Sequence, residues 1–326
     1  MKLASLKNGT RDGQLVVVSR DLRLAVAAEA VAPSMRHAID NWAQVEAKLA
    51  SLSDKLNAGQ AEGAVAFAPS QAMAPLPRTH QFIDASVFPT HGEIMARAYK
   101  LTIKQESGVP ILVPRQGDDF RGPTDDYEIP SEDDQVDFEG EFAVITDDIP
   151  MGASAAEAGA RIRLVTMLND VSMRSYVLKE VSLGFGLVRA KTATIFAPVA
   201  VTPDELGSAW KDSRVHLDMN VSRNGQRFGN PNGGEMEMGF DQLLAYIAYN
   251  RRLGAGFVLG SGTVSNKDYR KVGSACLAEQ RALEMIDGGQ SVTPFMKYGE
   301  RLQFDVKSFD GASVFGAIDF KLVPAA

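Results

Sequence analysis

The chain has 326 residues, 45% of them apolar and 23% charged, and 34 Lys and Arg against 41 Asp and Glu leave a net charge of −7. That composition excludes a disordered chain, a collagen-like repeat and a coiled coil, and the lack of a basic stripe speaks against nucleic acid as a partner. The one cysteine, Cys276, excludes an intramolecular disulfide and a Cys-rich zinc site. No apolar run approaches the ~20 residues that span a bilayer. The first nineteen residues lack the apolar core of a signal peptide, so a cytoplasmic location is expected.

Taken in chain order, residues 2–6, 14–19 and 23–27 are short apolar segments punctuated by Asn8-Gly9 and Asp12-Gly13, and read as strands and turns. A helix is expected over about 35–56. Its stripe is Met35, Ile39, Trp42, Val45, Leu49, Leu52 and Leu56, with Gly59 as the stop. Residues 64–78 carry Pro69, Pro75 and Pro77 and read as a linker. The boundary falls near residue 75, giving a small N-terminal α+β domain (1–75) and a larger one (76–326). The remainder is strand-rich, with strands expected over 135–146, 163–169, 194–202, 215–223, 256–261, 301–307 and 313–322. Ser154 and Glu157 form a capping box, and 240–250 reads as an amphipathic helix. Strands outnumber helices without regular alternation, so the class is α+β and a doubly wound parallel sheet is disfavoured. There is no Gly-x-Gly-x-x-Gly turn after a strand, no P-loop and no Gly-x-Ser-x-Gly elbow.

Four segments carry chemistry. In Val136-Asp-Phe-Glu-Gly-Glu141, strand alternation sends Asp137, Glu139 and Glu141 to one face. Clustered carboxylates repel, and either water or a bound hard cation relieves them. The commoner case is a solvated acidic edge. Residues 163–168 lead into Asn169-Asp170-Val-Ser-Met-Arg174, which fits either a site or a strand-end turn with a local ion pair. Phe82-Ile-Asp84 is followed seven residues later by His91, which opens a helix-like segment; His37, His80 and His216 read as structural. Leu259-Gly-Ser-Gly-Thr263-Val-Ser-Asn266 is a tight loop rich in donors, able to hold a carboxylate or carbonyl oxygen, or a plain turn.

In order and spacing, these segments resemble the fumarylacetoacetate hydrolase family. The resemblance runs from the Asp and its His, through the Glu-x-Glu strand, Asn-Asp-x-Ser-x-Arg, Ala-Lys with a nearby Thr, and Ser-Gly-Thr-x-Ser, to Gly273-Ser274 leading to a Glu. It covers roughly residues 75–285 and implies a large mixed β-sandwich or roll as the catalytic domain. The N-terminal unit resembles the small domain that precedes it in the hydrolase. The resemblance implies Asp84, Glu139, Glu141 and Asp170 as ligands of one divalent cation, Mg²⁺ or Ca²⁺ with Mn²⁺ as a further candidate. Asp137 falls outside that set. His91 matches the general base, Glu279 the residue that orients it, and Lys191 the group that stabilises the developing oxyanion or protonates the carbanion. Arg174 and Thr263, with Lys191, match residues that bind substrate oxygens, and Lys100 falls where the family carries a substrate-binding Arg. Val177 and Ser86 stand where the animal enzymes carry a Gln and a Tyr, and the step from Lys191 to Thr194 is one residue shorter. The implied activity is hydrolysis of a carbon–carbon bond in a fumarylacetoacetate-like β-diketo acid, as in tyrosine and phenylalanine catabolism. A hydratase or decarboxylase of a 2-oxo acid is the alternative. A homodimer is expected.

Overall fold

The computed structural model describes residues 1–100 and 108–325. A large mixed sheet organises the molecule. From one edge its strands run Val65–Ala66, Leu24–Ala27, Gln14–Val18, Lys2–Leu6, Ala200–Val201, Ile162–Asn169, Gly140–Thr146, Val258–Gly260, Phe82–Ser86 and Ile111–Arg115. The N-terminal strands continue this sheet, because Lys2–Leu6 pairs antiparallel with Ala200–Val201. Only Val258–Gly260 and Phe82–Ser86 run parallel along that path, with Gly260 opposite Asp84.

Both faces of the sheet are covered, which explains why its strands are apolar at successive positions rather than alternately. Val16 and Val18 pack on one side with Phe142, Val144 and Val165. Leu15 and Val17 face the other, with Ala143, Ile145, Leu164 and the stripe Trp42, Val45 and Leu49 of the helix Trp42–Asn57. A second sheet holds Gln226–Gly229, Met219–Arg223, Arg301–Val306, Ile318–Pro324 and Tyr127–Ile129. The class is α+β and strand-rich.

Four expected elements are divided, the strand over 215–223 among them, which is Arg214–Val215 and Met219–Arg223. The helix over 35–56 is two helices, Met35–Asp40 and Trp42–Asn57, parted at Asn41. There the side-chain amide donates to the His37 carbonyl at 2.9 Å, a local bond that competes with the helical ladder. The strand over 194–202 is Thr194–Phe196 and Ala200–Val201, because Pro198 offers no N–H to a ladder. The strand over 135–146 is Val136–Asp137 and Gly140–Thr146. Between them Phe138 leaves the large sheet, and its ring lies 5.0 Å from Phe228 and 5.8 Å from Phe304 of the second sheet. Asp137 is thereby removed from the register of Glu141. Three helices among the described residues went unforeseen, Arg174–Leu183, Tyr269–Val272 and Leu277–Gly288. The Ser154–Glu157 capping box is present.

Candidate metal centre and its neighbours

Asp84 lies on Phe82–Ser86, Glu141 on Gly140–Thr146, and Asp170 directly after Ile162–Asn169. Strand order brings the three to one end of the sheet. All are buried, and one oxygen of each lies within 4.8 Å of the others. The strand between Asp84 and Glu141 passes with a glycine. A Cβ on Gly260 would stand 2.5 Å from Asp84 Oδ1 and 3.0 Å from Glu141 Oε2. The next turn supplies a donor, for Gly262 N–H donates at 3.2 Å to each of those oxygens. Gly262 has φ +78°, and a Cβ there would meet the Ala85 carbonyl oxygen at 2.3 Å. The Gly-Ser-Gly loop therefore holds the protein's own carboxylates together, and Thr263 is buried immediately beyond it.

Glu139 is held differently. Lys191 Nζ donates to Glu139 Oε2 at 2.5 Å, to Asp170 Oδ2 at 2.5 Å and to Ser172 Oγ at 2.8 Å. Arg174 Nη2 donates to Glu139 Oε1. The backbone N–H of Glu139 is fixed by Asn169 Oδ1 at 2.9 Å. Asp137 accepts from Arg174 Nε at 2.7 Å and from the N–H groups of Leu277 and Ala278 at 2.7 and 2.9 Å. It is thus the anion at the N-terminus of helix Leu277–Gly288. Two residues further, Glu279 Oε2 accepts from His91 Nδ1 at 2.9 Å. With Glu279 as a carboxylate, Nδ1 is the donor of that bond, so the tautomer it favours carries its base lone pair on Nε2.

The electrostatics separate these acids. Burial, reinforced by Asp170, pushes Asp84 up to about 7. Burial and the neighbouring Asp84 and Asp170 push Glu141 well above the carboxylate range. Burial also opposes ionisation of Glu139, but Lys191 and Arg174 more than offset it and hold that carboxyl low. Burial lowers Lys191, yet Asp170 and Glu139 outweigh it and hold the ammonium charged.

Arg115 is the charged neighbour of the cluster that sequence reasoning missed. It ends Ile111–Arg115, opposite Phe82, and its Nη2 lies 2.5 Å from Asp170 Oδ1 with both side chains fully buried. The available signal was a lone charge closing the apolar run 109–114. Lys100, by contrast, is exposed at the left-handed end of helix Pro89–Tyr99, with φ 52°. The structure thus brings Asp84, Glu141 and Asp170 into one cluster, ties Glu139, Lys191 and Arg174 beside it, and pairs His91 with Glu279.

A charge count tests whether these residues fit a metal. Asp84, Asp137, Glu139, Glu141 and Asp170 face Arg115, Arg174 and Lys191, leaving two negative charges in excess. Glu141 Oε1 is buried with no partner among the described residues. An all-oxygen set with that excess suits one hard divalent cation.

Fold and site together set a buried carboxylate cluster that could hold a divalent cation near a His–Glu pair. The chain belongs to the fumarylacetoacetate hydrolase family: residues 88–320 match the fumarylacetoacetate (FAA) hydrolase C-terminal family, and residues 1–78 match fumarylacetoacetase N-terminal domain 2. It is 27% identical over 157 residues to 2,4-didehydro-3-deoxy-L-rhamnonate hydrolase of Sphingomonas sp. (strain SKA58), covering 47% of this chain and 52% of that protein. It is 27% identical over 176 residues to the fumarylacetoacetate hydrolase domain-containing protein 2 homolog of Dictyostelium discoideum, covering 52% and 56%. The matched stretch thus spans about half the length of these relatives. Among solved structures, the fumarylacetoacetate hydrolase of psychrophilic Exiguobacterium antarcticum superposes with TM-score 0.67 at 15% identity over 100% of both chains. Maleylpyruvate hydrolase from Sphingobium sp. SYK-6, in complex with manganese(II) ion and pyruvate, gives 0.66 at 16% identity, again over 100% of both chains. The 5-carboxymethyl-2-hydroxymuconate delta-isomerase of Mycobacterium smegmatis gives 0.62 at 16% over 100% of both. Hydrolases and an isomerase thus share this fold. No helix among the described residues is long and apolar enough to cross a membrane.

Proposed function

We propose that the protein hydrolyses a carbon–carbon bond in a fumarylacetoacetate-like β-diketo acid, with one divalent cation held by Asp84, Glu141 and Asp170 and joined by Glu139. The observation that carries the reading is the His91–Glu279 bond of 2.9 Å beside a carboxylate cluster with two charges to spare. Hydrolysis needs a base to activate water, and decarboxylation does not. A divalent cation held there would supply Lewis acidity for a 1,3-dicarbonyl acid. His91 Nε2 takes the proton of the attacking water, and Glu279 holds the ring tautomer and balances the imidazolium. Lys191 and Arg174 set positive charge beside the cluster for developing negative charge on substrate oxygen, Lys191 through its field alone because its three N–H groups are donated to Glu139, Asp170 and Ser172. Lys191 also reaches a cleft of about 500 Å³ lined by Gln116, Met173, Tyr176 and Arg189, with room for the distal part of an acid substrate.

The 2,4-didehydro-3-deoxy aldonate named for the Sphingomonas relative is itself a 1,3-dicarbonyl acid, which supports the same bond class. Loss of the absorbance of fumarylacetoacetate on adding protein and Mg²⁺, with fumarate and acetoacetate as products, tests the reading. Retained absorbance together with turnover of a 2-oxo acid to a decarboxylated or hydrated product would favour a lyase. We also propose a homodimer. Leu178, Val181, Leu183, Phe185 and Val188 form an exposed apolar run that a second copy would cover. A monomeric mass by light scattering at micromolar concentration excludes it.

A further inference from the structure

We infer that Arg115 sets the net charge of the centre and thereby makes it select a divalent over a trivalent cation. The inference rests on the reading of Asp84, Glu141 and Asp170 as a cation site. Asp170 meets a cation at each oxygen: Lys191 Nζ donates to Oδ2 at 2.5 Å, and Arg115 Nη2 lies 2.5 Å from Oδ1 as an ion pair whose geometry is not that of a hydrogen bond. Arg115 is poorly hydrogen-bonded. Nη2 reaches the Thr192 carbonyl at 3.2 Å and Thr194 Oγ1 at 3.5 Å, while Nε and Nη1 are buried without a partner among the described residues.

An arginine that serves as a structural tie looks different. Arg223 on the second sheet donates from Nε and Nη2 to Glu300 at 2.7 to 3.1 Å, and from Nη1 and Nη2 to the carbonyls of Pro294 and Phe295. Burying a guanidinium with two nitrogens unmet costs stability, so hydrogen bonding does not account for this position. What Arg115 supplies is a unit positive charge that no accessible pH removes. It is placed against a ligand carboxylate and screened from water, with the Phe82 ring 5.7 Å from its Cζ. Without it, five carboxylates would face two cations and the excess would rise from two to three. Arg115 is therefore a positioning and charge-setting residue, one step removed from the ion.

The test compares Tb³⁺ and Ca²⁺, ions of similar size and different charge, by competition titration followed through terbium luminescence. Any disturbance of ligand geometry weakens both ions alike, so the ratio of their affinities reports charge. Arg115→Gln should raise the Tb³⁺:Ca²⁺ ratio by about 10- to 100-fold, the scale of one unit charge near a buried ion. Arg115→Lys, which keeps the charge, should leave it within about threefold. An unchanged ratio in Arg115→Gln, with both ions bound, overturns the inference. Wild-type protein gives a second reading that needs no variant to fold: Tb³⁺ should gain less than about tenfold over Ca²⁺, and a gain of 100-fold or more overturns it. If wild-type protein binds neither ion, the cation-site reading itself has failed.

Discussion

Two groups of buried acids lie side by side in this molecule and differ in what faces their charge. Asp137 and Glu139 sit in a balanced belt, each paired with Arg174, with Lys191 on Glu139 and a helix N-terminus on Asp137. Asp84 and Glu141 share one backbone N–H and a side-chain hydrogen bond with each other, and among the described residues neither forms an ion pair. Burial is the same in both groups, so burial is not what decides. The belt has its cations built in, and the pair lacks one. A bound cation would fill that deficit, which is why the proposed cation site centres on the unbalanced pair.

The largest expected effect sits at the edge of that comparison. His91→Ala should lower kcat by about 10²- to 10⁴-fold while leaving cation affinity intact. Near-normal turnover would remove His91 from the reaction and favour the lyase reading, and lost cation binding would make it a ligand or a structural residue. Within the unbalanced pair, Asp84→Asn should weaken Mn²⁺ binding by about 100-fold or more, beyond the 10- to 100-fold that an outer-shell change costs. The same substitution removes a repelling charge, so the chelated variant should melt no lower than the chelated wild type. A large loss of chelated stability would show that Asp84 is a structural acid.

Asp137→Asn probes the belt and should reverse the pattern. It deprives Arg174 and two helix N–H groups of a buried carboxylate, at a cost of about 2–3 kcal/mol in unfolding free energy by denaturant titration. Cation affinity should stay within about tenfold. If Asp137→Asn abolished cation binding without loss of stability, Asp137 would belong to the centre and the division drawn here would be wrong.

Much of the centre was legible in sequence because it is carried by local order. The Asp84–His91 spacing, the Glu-x-Glu pair and Asn169-Asp170 each lie within a few residues, and strand alternation orients Glu141 correctly. The unequal fates of Glu139 and Glu141 were not legible, since alternation treats them as equivalent and their difference comes from Lys191 and Arg174, 52 and 35 residues away. Arg115 was hidden for the same reason: its partner Asp170 is reached only through the pairing of Phe82 with Arg115. Helix Arg174–Leu183 buries no residue and so shows no apolar stripe, and in Leu277–Gly288 a buried Glu279 interrupts one. The break at Phe138 reflects a choice between two sheets, which no single-strand pattern encodes.

The smallest effect expected concerns pH, and its sign separates Glu139 from Asp84 and Glu141, while burial shifts Asp137 in the same upward direction as the pair. Asp84 titrates near 7 in the folded metal-free protein, against an ordinary value of 3.8. Its proton therefore favours the folded state fully below about pH 4, and that contribution fades as pH rises through 7. Glu141, raised further, extends the loss upward. Glu139 is held low, so its contribution is present above 4.5 and is lost only as pH falls well below that value. Between pH 5.5 and 8 the unbalanced pair should therefore govern: chelated protein loses stability from these groups as pH rises. A cation must displace the same protons, so its affinity climbs by up to about tenfold per pH unit per proton released. Each tenfold is about 1.4 kcal/mol, and at about 2–4 °C per kcal/mol the rise in Tm on adding Mn²⁺ should be several degrees larger at pH 8 than at 5.5. Differential scanning calorimetry at the two pH values measures it. A rise that is equal at both, or larger at 5.5, would mean that Asp84 and Glu141 are already ionised without the metal, and the contrast between belt and pair would collapse.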